Sequence, residues 1–220
     1  MNLEMLNQEV VACRKCPRLV AWREQVAREK RRAFLDQNYW GKPVPGFGDP
    51  AARIFIVGLA PGAHGSNRTG RQFTGDASGS FLYSALFRAG LANQPTSTAI
   101  DDGLRLVDAY TAPVCRCAPP DNKPNPDEMA NCQPFLEAEL RLIGPRVIVA
   151  LGGIAFERVL RIYGLRKPDW KFGHGAVYRL DDGPWLLCSY HPSRQNTQTG
   201  RLTAGMFDSI WVKARELCEI

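Results

Sequence analysis

The chain reads as an α/β protein in which a parallel sheet is covered by helices on both faces. Two observations predict this. Several apolar runs do not alternate with polar residues: Ile54-Phe55-Ile56-Val57, residues 146–151 and Trp185-Leu186-Leu187-Cys188. A strand buried on both faces reads this way. These runs also alternate along the chain with segments whose apolar residues recur at helical spacing, the signature of a parallel sheet with crossover helices. The 220 residues suit one domain spanning 1–220.

Residues 3–35 read as a helix interrupted near Pro17, in two pieces, with Cys13-Arg-Lys-Cys16 at the break. Residues 36–52 are a Gly/Pro-rich loop, 53–58 the first strand and 59–77 a long glycine-rich loop. Residues 78–89 form a helix, with Phe81, Leu82, Ala85 and Leu86 on one side and Gly90 after its end. Residues 106–114 hold a second strand. A helix over 127–143 is entered from Pro126, with Asp127 and Glu128 in its first turn. Residues 146–151 are the third strand, and Gly152-Gly153 leads into a helix through residue 162. Strands at 177–180 and 185–190 are joined by the turn Asp181-Asp182-Gly183-Pro184. Residues 202–217 are the last helix.

Charge and composition narrow the function classes. A hydrophobic content of 45% with 23% charged residues is that of a globular protein, not a disordered one. No apolar run approaches the roughly 20 residues of a membrane helix. Residues 1–5 lack a basic-then-apolar leader, so the cytoplasm is expected. The net charge is +6 and uneven, with Arg14, Lys15, Arg18, Arg23, Arg28, Lys30, Arg31 and Arg32 close together. Such a helix face suits a polyanion or is simply solvated. The seven cysteines are an odd number, which argues against a disulfide framework. Cys13 and Cys16 with the distant Cys117 and Cys132 make four soft ligands, fit for zinc or an iron–sulfur cluster. Cys115 competes with Cys117 as a ligand. Cys188 and Cys218 read as packed residues.

In parallel α/β folds ligands bind beyond the carboxyl ends of the strands. Three segments lie there: the glycine loop, the loop 117–126 and His191-Pro192-Ser193. The glycine loop has neither the closing Gly-Lys-Ser/Thr of a phosphate cradle nor a G-x-G-x-x-G context. A pocket that reads a small polar ring through backbone groups fits better. His191 can donate to a carbonyl or stabilise a developing anion, or be capped by local backbone. His64 and His174 lie in Gly-rich loops and read equally as surface residues. Asp76 is either the cap of the following helix or, if Ser78 caps it, free to face the loop. Phe73 is core or a stacking platform. Asn122, between prolines, braces a turn or reads a base edge. The polar stretch Arg194-Gln195-Asn196-Thr197-Gln198-Thr199-Gly200-Arg201 contacts phosphates or is an ordinary surface loop.

Four motifs in collinear order, Gly58-Leu59-Ala60-Pro61-Gly62, Gly70-Arg71-Gln72-Phe73-Thr74-Gly75-Asp76, the Cys117…Cys132 loop and His191-Pro192-Ser193, resemble the uracil-DNA glycosylase superfamily, specifically its iron–sulfur branch called family 5. The resemblance runs from about Cys13 to Arg201. It implies a three-layer α/β/α fold around a four-stranded parallel sheet. It implies a [4Fe–4S] cluster on Cys13, Cys16, Cys117 and Cys132, not Cys115, tying the N-terminal segment to the loop after the second strand. It also implies release of uracil and other deaminated or damaged bases (hypoxanthine, xanthine, ethenocytosine) from DNA, leaving an abasic site; a monomer is expected, though not from the resemblance. Where family 4 carries Glu this chain has Leu59, and where other branches carry Asp or Asn it has Ala60. Asp76 is then the nearest carboxylate for the attacking water. The expected catalytic residues are Asp76, His191 and Asn122. Gly58, Leu59, Ala60, Gly62, His64, Phe73 and Ser193 are expected around the base, and Arg68, Arg194, Gln195, Asn196 and Arg201 on DNA. The competing readings are a uracil-only family-4-like enzyme, a damaged-DNA-binding module without turnover, and a zinc protein.

Overall fold

The computed structural model describes residues 2–166 and 169–220. In chain order the elements are α1 (Leu3–Ala12), α2 (Pro17–Glu29), β1 (Phe47–Gly48), β2 (Ile54–Gly58), α3 (Ser66–Thr69), α4 (Ala77–Arg88), β3 (Ala109–Pro113) and α5 (Pro126–Ile143). They continue as β4 (Val147–Leu151), α6 (Gly153–Ile162), β5 (Val177–Arg179), β6 (Trp185–Ser189), α7 (Arg194–Gln198) and α8 (Ala204–Cys218).

Among the described residues the strands form one sheet in the order β1-β3-β2-β4-β6-β5. The middle four, β3-β2-β4-β6, are parallel; β1 and β5 are antiparallel edges. In register, Ile56 of β2 lies between Thr111 of β3 and Val149 of β4. All five residues of β2, β3 and β4 are buried, as the unalternating runs require.

Successive side chains of each strand feed opposite layers. Ile54 and Ile56 pack with Leu82, Leu86, Phe207 and Trp211 beneath α4 and α8. Phe55 and Val57 pack with Leu136, Leu140, Phe156 and Val159 beneath α5 and α6. The expected three-layer α/β/α arrangement is therefore present. Full burial of side chains such as Trp211 and Phe156 stabilises it by about 1.5–3 kcal/mol each. α1 lies on α5 through Leu6, Val10, Phe135 and Ala138. No helix among the described residues is long and apolar enough to cross a membrane.

Several boundaries differ from the sequence reading. β1 lies inside the expected loop 36–52; two residues carry too little pattern to read. The second strand is shorter, because Asp108 turns the backbone to φ 55 just before β3 and Leu106 instead makes an isolated bridge to Ala92. The expected loops 59–77 and 194–201 each hold a short helix, α3 and α7. α7 is capped by Ser193, whose Oγ accepts from the Asn196 N–H at 3.3 Å.

Candidate active site

The parallel strands end at one edge of the sheet, and there the chain encloses a cavity of about 590 Å³. Its walls include Leu59, Ala60, Gly62, Gln72, Phe73, Asp76, Asn122, His191, Ser193, Arg194 and Gln195.

The glycines of the first loop admit neighbours more than they expose backbone. A Cβ on Gly58 would lie 2.8 Å from Phe73 Cζ, so Gly58 floors the Phe73 ring rather than lining the cavity. A Cβ on Gly65 would lie 2.1 Å from Asp76 Oδ2, and one on Gly62 3.0 Å from the same oxygen. Gly79 admits the Phe73 carbonyl, which a Cβ would meet at 1.7 Å. Phe73 itself has φ 51, a left-handed conformation costly for an aromatic residue. Its surroundings hold it there. Arg71 donates to Thr74 Oγ1 at 2.9 Å and to both Asp102 oxygens at 2.8 Å. The Tyr83 hydroxyl donates to the Gln72 carbonyl at 2.8 Å. Arg68 donates to the Gly75 carbonyl at 2.9 Å. The ring is thereby fixed 5.9 Å, centroid to centroid, from the His191 ring.

Asp76 is the N-cap of α4: its Oδ1 accepts from the Gly79 N–H at 2.9 Å. The alternative with Ser78 as cap is corrected, since Ser78 lies within the helix. Yet the second oxygen remains beside Gly62 and Gly65, so cap and cavity carboxylate are one residue. Burial raises its pKa, opposed by the Gly79 and Ser78 N–H groups and the charge of Arg68. The result is a rigid, poorly hydrated carboxylate. His191 follows β6, and burial lowers its pKa to about 4. It is a neutral imidazole at physiological pH, a donor without a charge. Asn196 donates to the His191 carbonyl at 2.8 Å, locking the backbone there. Asn122 stands exposed at the mouth, in a turn where Asp121 and Asn122 have φ 53 and 56.

Other expected residues lie elsewhere. His64 does not line the cavity; its Nδ1 is 3.0 Å from the Tyr39 hydroxyl, and burial, then Arg31 and Arg68, lower its pKa. Arg68 is not free for DNA. It is buried, donates to the His64 carbonyl at 2.8 Å and lies 4.0 Å over the Phe34 ring. Asn196 is a brace for His191. Arg201 is exposed, 4.6 Å over the Tyr190 ring. Arg194 and Gln195 are exposed at the rim. The basic face over 13–32 is partly consumed: Arg18 pairs with Glu128 at 2.7 Å, Arg14 with Glu24, and Arg23 is buried. Sequence reasoning missed Ser66, Gln72, Ala77, Ser78 and Asp121 as wall residues. Gln72 lay within a quoted motif, but only its burial distinguishes it.

Cys13, Cys16, Cys117 and Cys132 line a second, small cavity with Arg116 and Asn131. Cys13 ends α1, Cys16 begins α2, Cys117 follows β3 and Cys132 lies in α5. Among the described residues no three His, Cys, Asp or Glu side chains converge to hold one ion; these thiols surround a space instead. Arg23 donates to Cys117 Sγ at 2.9 Å and Asn131 to Cys16 Sγ at 3.5 Å. The Nε atoms of the buried Arg23 and Arg116 have no partner. Four thiols facing buried guanidinium groups fit a thiolate-held group, whose negative charge those groups offset. Cys115 is buried outside this cavity. The neighbouring Cys115 thiol, with Arg116, lowers the Cys132 pKa.

Residues 45–215 match the family model "Uracil DNA glycosylase superfamily". The chain is 57% identical to a Type-5 uracil-DNA glycosylase of Thermus thermophilus, over 99% of both chains. It is 47% identical to a Type-5 uracil-DNA glycosylase of Pyrobaculum aerophilum, covering 88% of this chain and 84% of that one. A Type-4 uracil-DNA glycosylase of the same organism is 30% identical over similar shares, 88% and 84%.

Proposed function

The chain belongs to the uracil DNA glycosylase superfamily, and on that premise we propose that it hydrolyses the N-glycosidic bond of uracil and of other deaminated or damaged bases in DNA, leaving an abasic site. The Type-5 relatives support uracil release in DNA repair. Hypoxanthine, xanthine and ethenocytosine are the further substrates of this reading. The observation that carries it is the convergence of Phe73, Asp76, Asn122 and His191 on one cavity beyond the strand ends.

The damaged nucleotide leaves the duplex stack and enters the cavity. Phe73 stacks on its ring, Asn122 meets its edge at the mouth, and Leu59, Ala60, Gly62 and Ser193 surround it. As the C1′–N bond breaks, its electron pair passes to the base and spreads onto a ring carbonyl. Neutral His191 donates to that oxygen. The Asp76 oxygen beside Gly62 and Gly65 faces the cationic sugar and orients the water that attacks C1′; the water's second proton ends on the departing base. Placement of charge, not strong base chemistry, is the source of rate. Arg194 and Gln195 meet the DNA at the rim. The mechanism ends at the abasic site without strand cleavage.

Cys13, Cys16, Cys117 and Cys132 would hold a [4Fe–4S] cluster as thiolates. Its contribution is structural: it ties the α1–α2 break to the segment carrying Asn122.

Single-turnover release from duplexes carrying uracil or hypoxanthine tests the reading, with wild type beside Asp76→Asn. Both bases should be released, and the variant should be about 10²–10³ slower. Uracil-only release untouched by the substitution would return Asp76 to capping alone and favour the narrower enzyme. Tight binding without release would favour the binding module.

A further inference from the structure

His64 takes part in no step above, yet it is fixed at both ends. Arg68 donates to its carbonyl oxygen at 2.8 Å. Its Nδ1 lies 3.0 Å from the Tyr39 hydroxyl, with the two rings edge to face at 79°. The Arg31 N–H donates to that hydroxyl oxygen at 3.3 Å. The hydroxyl proton has no other acceptor among the described residues, which assigns it to Nδ1 and leaves the imidazole proton on Nε2. Nε2 has no partner among the described residues and remains open to solvent. The electrostatic surroundings are one-sided. Burial first, then the charges of Arg31 and Arg68, lower the His64 pKa, and no acid among the described residues acts on the ring. Arg68 is spent on the Gly75 carbonyl and Gln37. Arg31 is exposed, and its guanidinium has no partner among the described residues. A neutral N–H donor beside a free guanidinium, with no acid near, matches an oxygen anion such as a phosphodiester. The place is tied to the reaction. Gly65, the next residue, is where a Cβ would meet Asp76 Oδ2 at 2.1 Å. Arg194 and Gln195 rim the cavity after β6, and β4 separates β6 from β2, whose loop carries His64.

We propose that His64 Nε2 and the Arg31 guanidinium bind a DNA phosphate flanking the flipped nucleotide, on the side of the cavity away from Arg194 and Gln195. This rests on the glycosylase reading and names a second rim that holds the strand. The contact is to the backbone, so it positions the nucleotide whatever base it carries. The two donors differ in one measurable respect. Arg31 neutralises a phosphate charge and releases a counterion; the uncharged imidazole adds a hydrogen bond without doing so.

Affinity for uncleavable duplexes with a 2′-fluoroarabino sugar at the target tests this, with each neighbouring phosphate replaced in turn by a neutral methylphosphonate. One replacement next to the target should weaken wild-type binding about tenfold. In His64→Phe the same replacement should cost less than about twofold, because the contact is already gone. His64→Phe should weaken uracil and hypoxanthine duplexes by the same factor and leave the salt dependence unchanged. Arg31→Gln should lower the slope of log affinity against log salt by about 0.9. Arg105→Gln, before β3 and so at the opposite end of the sheet, should not change it. Methylphosphonate penalties that persist in full in His64→Phe at every position would overturn the proposal. So would a loss confined to one base, which would return His64 to base contact, or a salt slope untouched by Arg31→Gln. Thermal unfolding verifies that His64→Phe is folded; the exposed Arg31→Gln gives the same phosphate scan if it is not. A wild type that releases no uracil from an ordinary duplex would sink the glycosylase reading instead, a result separate from the phosphate scan.

Discussion

Asp76 has two oxygens, which lets the cap of α4 also be the carboxylate of the proposed reaction. One is spent on the Gly79 N–H, which fixes the side chain; the other is left beside Gly62 and Gly65. A carboxylate held in this way needs no rotamer search when substrate arrives. Burial raises its pKa, so the acid limb of base release should lie above the ordinary Asp range. His191 shows the opposite shift: burial lowers its pKa from 6.5 to about 4. Between those values the unfolded chain takes up a proton that the folded protein refuses. The associated stability is fully present above about pH 6.5 and is lost as the pH falls towards 4. His191→Gln removes this titration. The melting temperature of the variant should therefore drop less than that of wild type between pH 7 and pH 4.5. Parallel losses would mean that His191 is not held neutral by burial. At fixed neutral pH the same variant should slow base release about 10²-fold or more through the missing donor.

At the scale of elements, the loop from β2 to α4 is a mould for two side chains. Its glycines sit where Phe73 and Asp76 need room, and buried Arg68 and Arg71 hold the turn between them. Gly65→Ala brings a Cβ within 2.1 Å of Asp76 Oδ2. Either the carboxylate or the loop must move. Base release should fall about 100-fold, since small misplacements of a catalytic group are costly. Gly205→Ala in α8 is the matched control. Nothing lies within 4 Å of its Cβ, and Ala in a helix is about 0.5–1 kcal/mol better than Gly. It should leave activity unchanged and raise the melting temperature. Equal activity in both variants would dismiss the mould. Helix α7 belongs to the same scale, because Asn196 and Ser193 use its first turn to hold the backbone at His191.

The whole molecule joins two constructions. One is the sheet, whose parallel strands deliver the glycine loop, the Asn122 turn and His191 to one edge. The other is the pair α1–α2, which touches the core through α5 and through the cysteine cavity. With a cluster on the four thiols, replacing Cys13 by Ser should bleach the visible absorbance and lower the melting temperature. Hydrogen exchange should quicken in both α1–α2 and 117–126, and base release should fall with the ordering of Asn122. A purified protein that holds zinc and no iron, or a colour that survives the substitution, would refute the cluster assignment.

The amino-acid sequence by itself determined the layers. Unbroken apolar runs such as Ile54–Val57 and residues 146–151 could only be buried strands, and helical periods between them forced a parallel sheet. It also carried the two-piece N-terminal helix and the motifs of the candidate site, because local pattern and chemistry reside in neighbouring residues. Tertiary structure alone decided who faces the cavity. Arg68 and Arg71 are surface residues by composition, yet both are buried as braces for a turn. His64 and Gln72 stand eight residues apart in one loop, but only Gln72 reaches the cavity wall. The same holds for Asp76, whose double use depends on glycines 11 and 14 residues earlier in the chain. Burial, orphaned donors and depressed pKa values come from what packs around a group, and distant segments supply that packing only once the chain has folded.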